Sequence, residues 1–436
     1  MSEWIEKPIV DLIERHWSGE WGAEPTDGTS SARVYRSTEI DDAGHLRSDE
    51  GVFRSIARSQ DHKMVRSGDI LVEVSGGAPN RPVGRVAFAQ FDTDERRFTS
   101  NFVRTLRPKK GIDGKYLNWR LHWLNKQPQI LRFQQQTTGI INLQVDDYLN
   151  HKIHLPVDES EQKLIATVLD LIDAKIEATE ALIAKQVRVR TGLMQDLFTR
   201  GVDEHGQLRP PRDQAPHLYH QTELGWLPLG WEGMTLASAC SIIRDGTHLP
   251  PPRTDTGPLL LSVRNMIDGG FQLTESDERV PESFFEIMHR NWRIRPGDTL
   301  LAIVGATIGK TCQVPDSFPK FTLQRSVCIL RGEETVLEPA VLALLVQRPE
   351  FKVALWSRAN QTAQPGIYLD QIARISVPVP LKREQGVVYA AMRSVSNGIN
   401  VLKNDLTKLR LQKTGLMQDL LTGKVSVAPL LESAGA

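Results

Sequence analysis

Three stretches of the chain carry residue types that could do chemistry. The first, GATIGKT at 305–311, is built like a phosphate-cradling loop, in which glycines let backbone N–H groups wrap a phosphate and a lysine completes the cradle. Only three residues separate its glycines where such a loop needs four, and no clear helix follows. A tight turn between strands, with Gly305 and Gly309 at positive φ, accounts for the same residues. The second is Asp146 with Glu161 and Lys163, a set that could hold Mg²⁺ and polarise a water as in a metal-dependent nuclease. Glu161 also stands three residues after Asp158, the spacing of a helix capping box, and that role fits it better. The third is the histidine pair His151 and His154, which has no further His or Cys at metal-ligand spacing and is expected to pack or face solvent. No Asn-Pro-Pro-aromatic methyltransferase motif and no glycine-rich cofactor loop after a first strand are present. Cys240, Cys312 and Cys328 match neither a CxxC pair nor a disulfide framework, and are expected as buried thiols.

Whatever these residues do, the elements around them must come from a chain of 436 residues, long enough for two domains and connecting elements. Apolar residues make up 40% and charged ones 24%, ordinary for a globular protein and unlike a disordered or fibrous one. The 53 basic residues balance 53 acidic ones, which excludes a simple basic coat for nucleic acid. Any polyanion binder of this composition must segregate its charges. A local cluster exists at Arg81, Arg85, Arg96, Arg97, Arg104, Arg107, Lys109 and Lys110. No run approaches the roughly 18 apolar residues of a membrane helix. Glu3, Glu6 and Lys7 stand where a signal peptide needs an apolar stretch, so a cytoplasmic location is expected.

The chain repeats itself. TGLMQDLFTRGV at 191–202 and TGLMQDLLTGKV at 414–425 agree at nine of twelve positions, with Thr191 falling on Thr414 at an offset of 223. Upstream, Glu161 and Gln162 fall on Glu384 and Gln385 at the same offset. An apolar stripe with steps of four and three runs through both copies. In the first it is Ile165, Leu169, Ile172, Ile176, Ile183, Leu193 and Leu197, interrupted by Thr179, Gln186 and Arg190. The second runs from Val388, Met392, Val395, Ile399, Leu402, Leu406 and Leu409 to Leu416 and Leu420, interrupted by Lys413. A 3.5-residue period sustained over this length, without proline, predicts two long coiled-coil helices that bury their stripes on each other. Gly201 and Gly423 stand where they should stop.

Before each helix the order of segments is also shared. Ser67-Gly68-Asp69-Ile70-Leu71 corresponds to Pro296-Gly297-Asp298-Thr299-Leu300, 98–106 to 321–330, and Thr137-Thr138-Gly139-Ile140 to Gln364-Pro365-Gly366-Ile367. The expected fold is therefore α/β: two α/β domains separated by two long antiparallel coiled-coil helices, in a pseudo-twofold internal repeat. The boundaries read as a first domain at 1–157, a first spacer helix at 158–200, a Pro- and Gly-rich linker at 201–224, a second domain at 225–380, a second spacer helix at 381–424 and a flexible tail at 425–436.

This duplicated pattern resembles the specificity subunits of type I restriction-modification enzymes across essentially the whole chain. The resemblance is carried by the strand-proline-Glu-Gln entry into each helix (155–162 and 379–385) and by the GLMQDL ending followed by threonine (192–199 and 415–422). The GATIGK turn, Leu224-Gly225-Trp226-Leu227-Pro228 with Trp231, Asp245-Gly246-Thr247-His248, and Ser75-Gly76-Gly77 with Pro82-Val83-Gly84-Arg85 carry the rest. It implies that each domain is a target-recognition domain for one half of a bipartite DNA site, that the helices set the spacer, and that the chain itself is not catalytic. It implies as partners double-stranded DNA, two copies of a modification subunit and restriction/translocase subunits. S-adenosylmethionine, ATP and Mg²⁺ would belong to those partners, with no cofactor or metal in this chain.

Reading bases in the major groove needs side chains that present hydrogen-bond donors and acceptors, while Lys and Arg on phosphates fix register. On that reading the DNA-binding candidates in the first domain are Asn80, Arg81, Arg85, Gln135, Gln136, Thr137 and Thr138. In the second they are Thr247, His248, Arg264, Asn265, Thr307, Lys310, Gln361 and Gln364. The polar interruptions Gln186, Arg190 and Lys413 are either where the helical pair opens toward partner subunits or an exposed helix end. Two other readings stand beside this one: a coiled-coil protein-interaction scaffold without DNA binding, which suits the neutral charge, and a nuclease at Asp146 and Glu161.

Overall fold

The structure is a computed structural model, and it describes residues 3–25, 31–77, 81–137, 139–247, 250–267, 270–360 and 365–434. They form two compact units. One comprises Met1–Ala181 with Lys403–Ala436, the other Leu182–Leu402.

In the first unit the central strand, Ile70–Glu73, is buried along its whole length, as its continuous apolar run requires. It sits in a four-stranded antiparallel sheet, in the order Ile13–Ser18, Val103–Pro108, Ile70–Glu73, Val86–Phe88. Helix Gly114–Lys126 starts where Asp113 Oδ1 accepts the Tyr116 N–H at 2.8 Å. It buries Tyr116, Leu117, Leu121 and Leu124 in the same core as the sheet. A second sheet pairs Ser31–Tyr35 with Arg97–Thr99 in parallel.

The four-stranded sheet and the parallel pair recur in the second unit. Its sheet runs Cys240–Asp245, Val327–Gly332, Thr299–Ala302, Thr311–Gln313, and Thr254–Leu261 pairs in parallel with Phe321–Leu323. The same polar contacts hold the two sheets. Gly68 (φ +97°) and Gly297 (φ +86°) turn the chain into the central strand. The next residue then ion-pairs with the neighbouring strand, Asp69 with Arg107 and Asp298 with Arg331, each at 2.7 Å.

The long helices span Glu159–Thr199 (41 residues) and Lys382–Leu421 (40 residues). Each starts on a glutamine clasp. Gln162 accepts the Asp113 N–H at 2.8 Å and donates to the Pro156 carbonyl at 2.9 Å. Gln385 accepts the Glu338 N–H at 2.8 Å and donates to Pro380 and Val336 at 2.9 and 2.8 Å. Within each unit the halves of the two helices run antiparallel. Lys413 pairs with Asp173 and Arg410 with Glu180 in the first unit, and Arg190 donates to Ser396 in the second. The stripe residues join the unit cores: Ile165, Leu169, Met417 and Leu420 in one, Leu197, Val388 and Met392 in the other.

Two of the polar interruptions thus act as cross-helix contacts. Lys413, only 14% exposed, also lies over the Trp119 ring, and Arg190 also donates to Gln347 at 2.9 Å. The helices stop at Gly201 (φ +63°) and Gly423 (φ +72°), where an added Cβ would meet the ring of Trp231 at 2.7 Å and of Trp4 at 2.9 Å. Trp4 thus packs at the end of the second long helix as Trp231 packs at the end of the first.

Two stretches are more ordered than their composition suggested. In the 201–224 stretch, Arg209 makes a buried bidentate pair with Glu384 at 2.9 and 2.6 Å, and Tyr219–Thr222 forms a hairpin with Gly225–Pro228. The expected tail includes buried Val427 and a helix at Ala428–Ala434. No helix among the described residues is long and apolar enough to cross a membrane.

Candidate nucleic-acid interface

Antiparallel pairing fixes which loops meet. In the first unit the register sets Ser18 beside Arg104, Glu73 beside Val103 and Val72 beside Val86, so the chain leaving Ser18 and Glu73 and the chain entering Val86 and Val103 lie at the same end of the sheet. A small sheet of Gln134–Thr137, Ile140–Leu143 and Ser75–Gly77 adds to that end. Here Gln134 clamps the loop before it. Its carboxamide accepts the Val83 N–H at 2.9 Å and donates to the Val83 and Ile130 carbonyls at 3.2 and 3.0 Å. Gly77 lets this happen, since a Cβ would lie 2.8 Å from the Arg81 carbonyl oxygen. The clamp brings exposed Arg81 together with exposed Gln135 and Gln136.

Arg85 does not join them. It is 7% exposed, and its guanidinium forks onto both oxygens of Glu73 at 2.8 Å while donating to the Ser37 carbonyl at 3.0 Å. A guanidinium committed in this way inside the protein has no donors left for a base.

In the second unit the corresponding end carries Asp245, Ala302, Thr311 and Val327. GATIGK is a turn between antiparallel strands, with Gly305 at φ +79° and Gly309 at φ +87°, and Thr307 is exposed on it with Lys310 half-buried. Gly305 N–H donates to Pro365 at 2.7 Å and Ile367 N–H to Ile303 at 3.0 Å, joining that turn to the 365–367 stretch. Arg264 is exposed and 3.6 Å from Asp277. Asn265 is 2% exposed, because its side chain closes a capping box with Ser262 and donates to Asp277 at 2.8 Å. Thr247 is 6% exposed, with its N–H given to Leu323 at 2.8 Å. These two candidates therefore face inward. Asn80, Thr138, His248, Gln361 and Gln364, and the side chain of Thr137, lie outside the described residues.

The basic cluster is largely neutralised within the fold. Arg85 pairs with Glu73, Arg96 with Asp61, Arg97 with Glu95 and Arg107 with Asp69, which leaves Arg81, Lys109 and Lys110 as its exposed members. Beneath the lobe, His45 reaches Asp173 on the first long helix at 2.8 Å, and hydrogen bonds to Asp173 and Asp41 push its imidazole up to about 10. Cys312 and Cys328 are buried as expected, whereas Cys240 is half-buried; burial pushes the Cys240 and Cys312 thiols up to about 12. Exposed Asp146 acts on His16 and Arg104, whereas Glu161 is buried at a helix start. Among the described residues no three His, Cys, Asp or Glu could hold a metal ion.

Residues 35–186 match the family described as "Type I restriction modification DNA specificity domain". The type I restriction enzyme MjaVIII specificity subunit of Methanocaldococcus jannaschii is 26% identical over 336 residues, 76% of this chain and 75% of that protein. The EcoBI specificity subunit of Escherichia coli is 23% identical over 304 residues, 64% and 62% of the two chains. The solved type I restriction-modification S subunit from M. genitalium shares the fold, with a TM-score of 0.57 at 17% identity over 96% of both chains. The chain thus carries a match to the type I specificity domain over residues 35–186 and is similar over most of its length to type I restriction enzyme specificity subunits.

In this chain the candidates seen in sequence are two sets of loops on two copies of a similar scaffold. Sequence reasoning missed Gln134, whose clamp is visible only once the hairpin is folded. It also missed Gly19, the counterpart of Gly246. The two glycines approach the same turn in their lobes, with Gly19 N–H on Val103 and Gly246 N–H on Val327, both at 3.2 Å. Their offset is 227 rather than the helices' 223, which hid them from a fixed-offset comparison.

Proposed function

We propose that this chain chooses the DNA sequence for a type I restriction-modification complex and performs no chemistry itself. The lobe of the first unit reads one half of a bipartite site and the lobe of the second reads the other. The long helices set the gap and dock two copies of a modification subunit, to which restriction/translocase subunits add. S-adenosylmethionine, ATP and Mg²⁺ bind in those partners, in the cytoplasm. The observation that carries this reading is the repetition of one sheet order in both units with unlike residues at the same end: Arg81, Gln135 and Gln136 in one, Thr307 and Lys310 in the other. Similar scaffolds with different loops suit two different half-sites.

Electrophoretic shift with duplex DNA, with and without a co-expressed modification subunit, tests it. The expected result is a shift only, or best, with the partner present. No shift under either condition would favour a protein scaffold. Mg²⁺-dependent cutting by the chain alone would favour a nuclease.

A further inference from the structure

The turn that enters the strand beside the central one has the same construction in both lobes. At 100–103 Ser100 N–H donates to Tyr35 at 2.7 Å, Val103 N–H to Ser100 at 3.0 Å, and the Phe102 carbonyl accepts Val74 N–H at 2.8 Å. At 324–327 the same three bonds recur: Gln324 N–H to Leu261 at 2.9 Å, Val327 N–H to Gln324 at 3.1 Å, and Ile303 N–H to the Ser326 carbonyl at 2.9 Å. The neighbouring loop presses on each turn where only glycine fits. A Cβ at Gly19 would lie 2.1 Å from the Thr99 and Ser100 carbonyl oxygens, and one at Gly246 would lie 2.0 Å from that of Leu323.

These turns are backbone-locked, and the side chains at their tips are exposed. Asn101 and Phe102 are exposed in the first lobe, Phe102 to 51%, and Arg325 is exposed in the second. Most arginines of the lobe sheets are spent on acids, as Arg107 is on Asp69 and Arg331 on Asp298. Among the described residues, the Asn101 carboxamide and the Arg325 guanidinium have no such partner. Both turns leave the end of the sheet that carries the other candidate loops, since Val74 and Ile303 continue into the Ser75–Gly77 strand and the GATIGK turn.

We propose that the turns at 100–103 and 324–327 are base-reading elements, with Asn101 set against an adenine of one half-site and Arg325 against a guanine of the other. A carboxamide matches the N6 donor and N7 acceptor of adenine, and a guanidinium fork matches O6 and N7 of guanine. Phe102 beside Asn101 adds an apolar face for a thymine methyl. A fixed backbone supports discrimination because the side chain loses little further freedom on binding. The inference rests on the proposed reading of the lobes as half-site readers.

The test is methylation mapping by the full chain assembled with its modification subunit, comparing wild type with Asn101→Ala, Arg325→Ala and Arg325→Lys. Arg325→Ala and Arg325→Lys should both relax one position of a single half-site, cutting discrimination there by about tenfold to a hundredfold, while the other half-site is unchanged. Asn101→Ala should relax one position of the opposite half-site. Retention of the full wild-type motif by the variants overturns the assignment. So does rescue by Arg325→Lys, or a uniform loss of binding on all sequences, since either marks a phosphate contact. If the wild-type complex itself methylates without sequence preference, the proposed function fails instead, and the two failures are told apart by that control.

Discussion

Arg81 and Arg85 stand four positions apart and have opposite fates. The first is exposed beside Gln135 and Gln136, whereas the second is held inside by Glu73. Arg85→Ala strands a buried carboxylate and should cost about 3–5 kcal/mol, read as a lower midpoint in thermal unfolding. Arg81→Ala should leave that midpoint within experimental scatter and weaken DNA binding by the assembled complex. An equal loss of stability in both would contradict the assignment. His45 gives a second residue-scale prediction. It faces Asp41, Asp173 and Glu177, with Lys413 on the far side of Asp173 and buried His122 nearby, held neutral by a value lowered to about 3. Because its folded value is raised from 6.5 to about 10, its stabilisation is full below pH 6.5 and fades as pH rises toward 10. Burial opposes the charge on Asp173, but His45 and Lys413 outweigh it and hold the value below 3.8, so the carboxylate's share is lost in acid. His45→Gln should therefore lower urea stability most between about pH 4 and 6.5 and least near pH 10. A pH-independent difference would count against the charged pairing. Neither fate was legible in sequence, because a residue's type says what it can bond and not which way it points.

Among the elements, the long helices were the most legible and the lobe loops the least. The helices announce themselves through an uninterrupted apolar period and a nearly identical ending, both local properties. What sequence reasoning could not supply was the purpose of the glutamine that follows Glu161 and Glu384 at their starts. Gln162 and Gln385 are buried clasps that satisfy backbone groups of the segments arriving from the lobes. Gln162→Ala and Gln385→Ala should each cost about 2–4 kcal/mol, since several buried backbone groups lose their partners at once. Chemical denaturation of the two variants checks this, and a loss below 1 kcal/mol in both would show that water replaces the amide. The strand order of the lobes was partly visible as matching segments. The loops were not, because insertions between the strands change the offset from one pair to the next, and the base candidates Asn265 and Thr247 turned out to be spent on caps and ladders.

At the scale of the molecule, 53 basic residues balance 53 acidic ones, so no net positive field draws DNA in, and arginines such as Arg85, Arg107, Arg209 and Arg331 are spent on acids inside the fold. The chain alone should show a shallow dependence of DNA affinity on salt, the slope being about −0.9 per phosphate neutralised. A steep slope for the isolated chain would mean that the ion pairs open on DNA. The helices offer a length test. Four residues added to each helix where one unit passes into the other, after Ala181 and after Leu402, add about 6 Å and should widen the non-specific gap while leaving both half-sites intact. This place is preferable to the stretch after Arg190, whose guanidinium is bonded to Ser396 and Gln347. Methylation mapping reads the result, and an unchanged gap would detach the helices from spacing.

The first unit closes on the last part of the chain: Met417, Leu420, Leu421 and Val427 belong to the core that holds Ile9, Leu12 and Ile165. On the ribosome, then, the lobe made first cannot seal itself when its own strands emerge. At ordinary elongation rates it must wait roughly 10–50 s for its closing helix, while the unit encoded in the middle is already complete. Nascent protein should therefore acquire protease resistance first in the unit of residues 182–402 and then in the unit that holds Ile9 and Leu12, and a stop codon placed before Lys403 should spoil the latter.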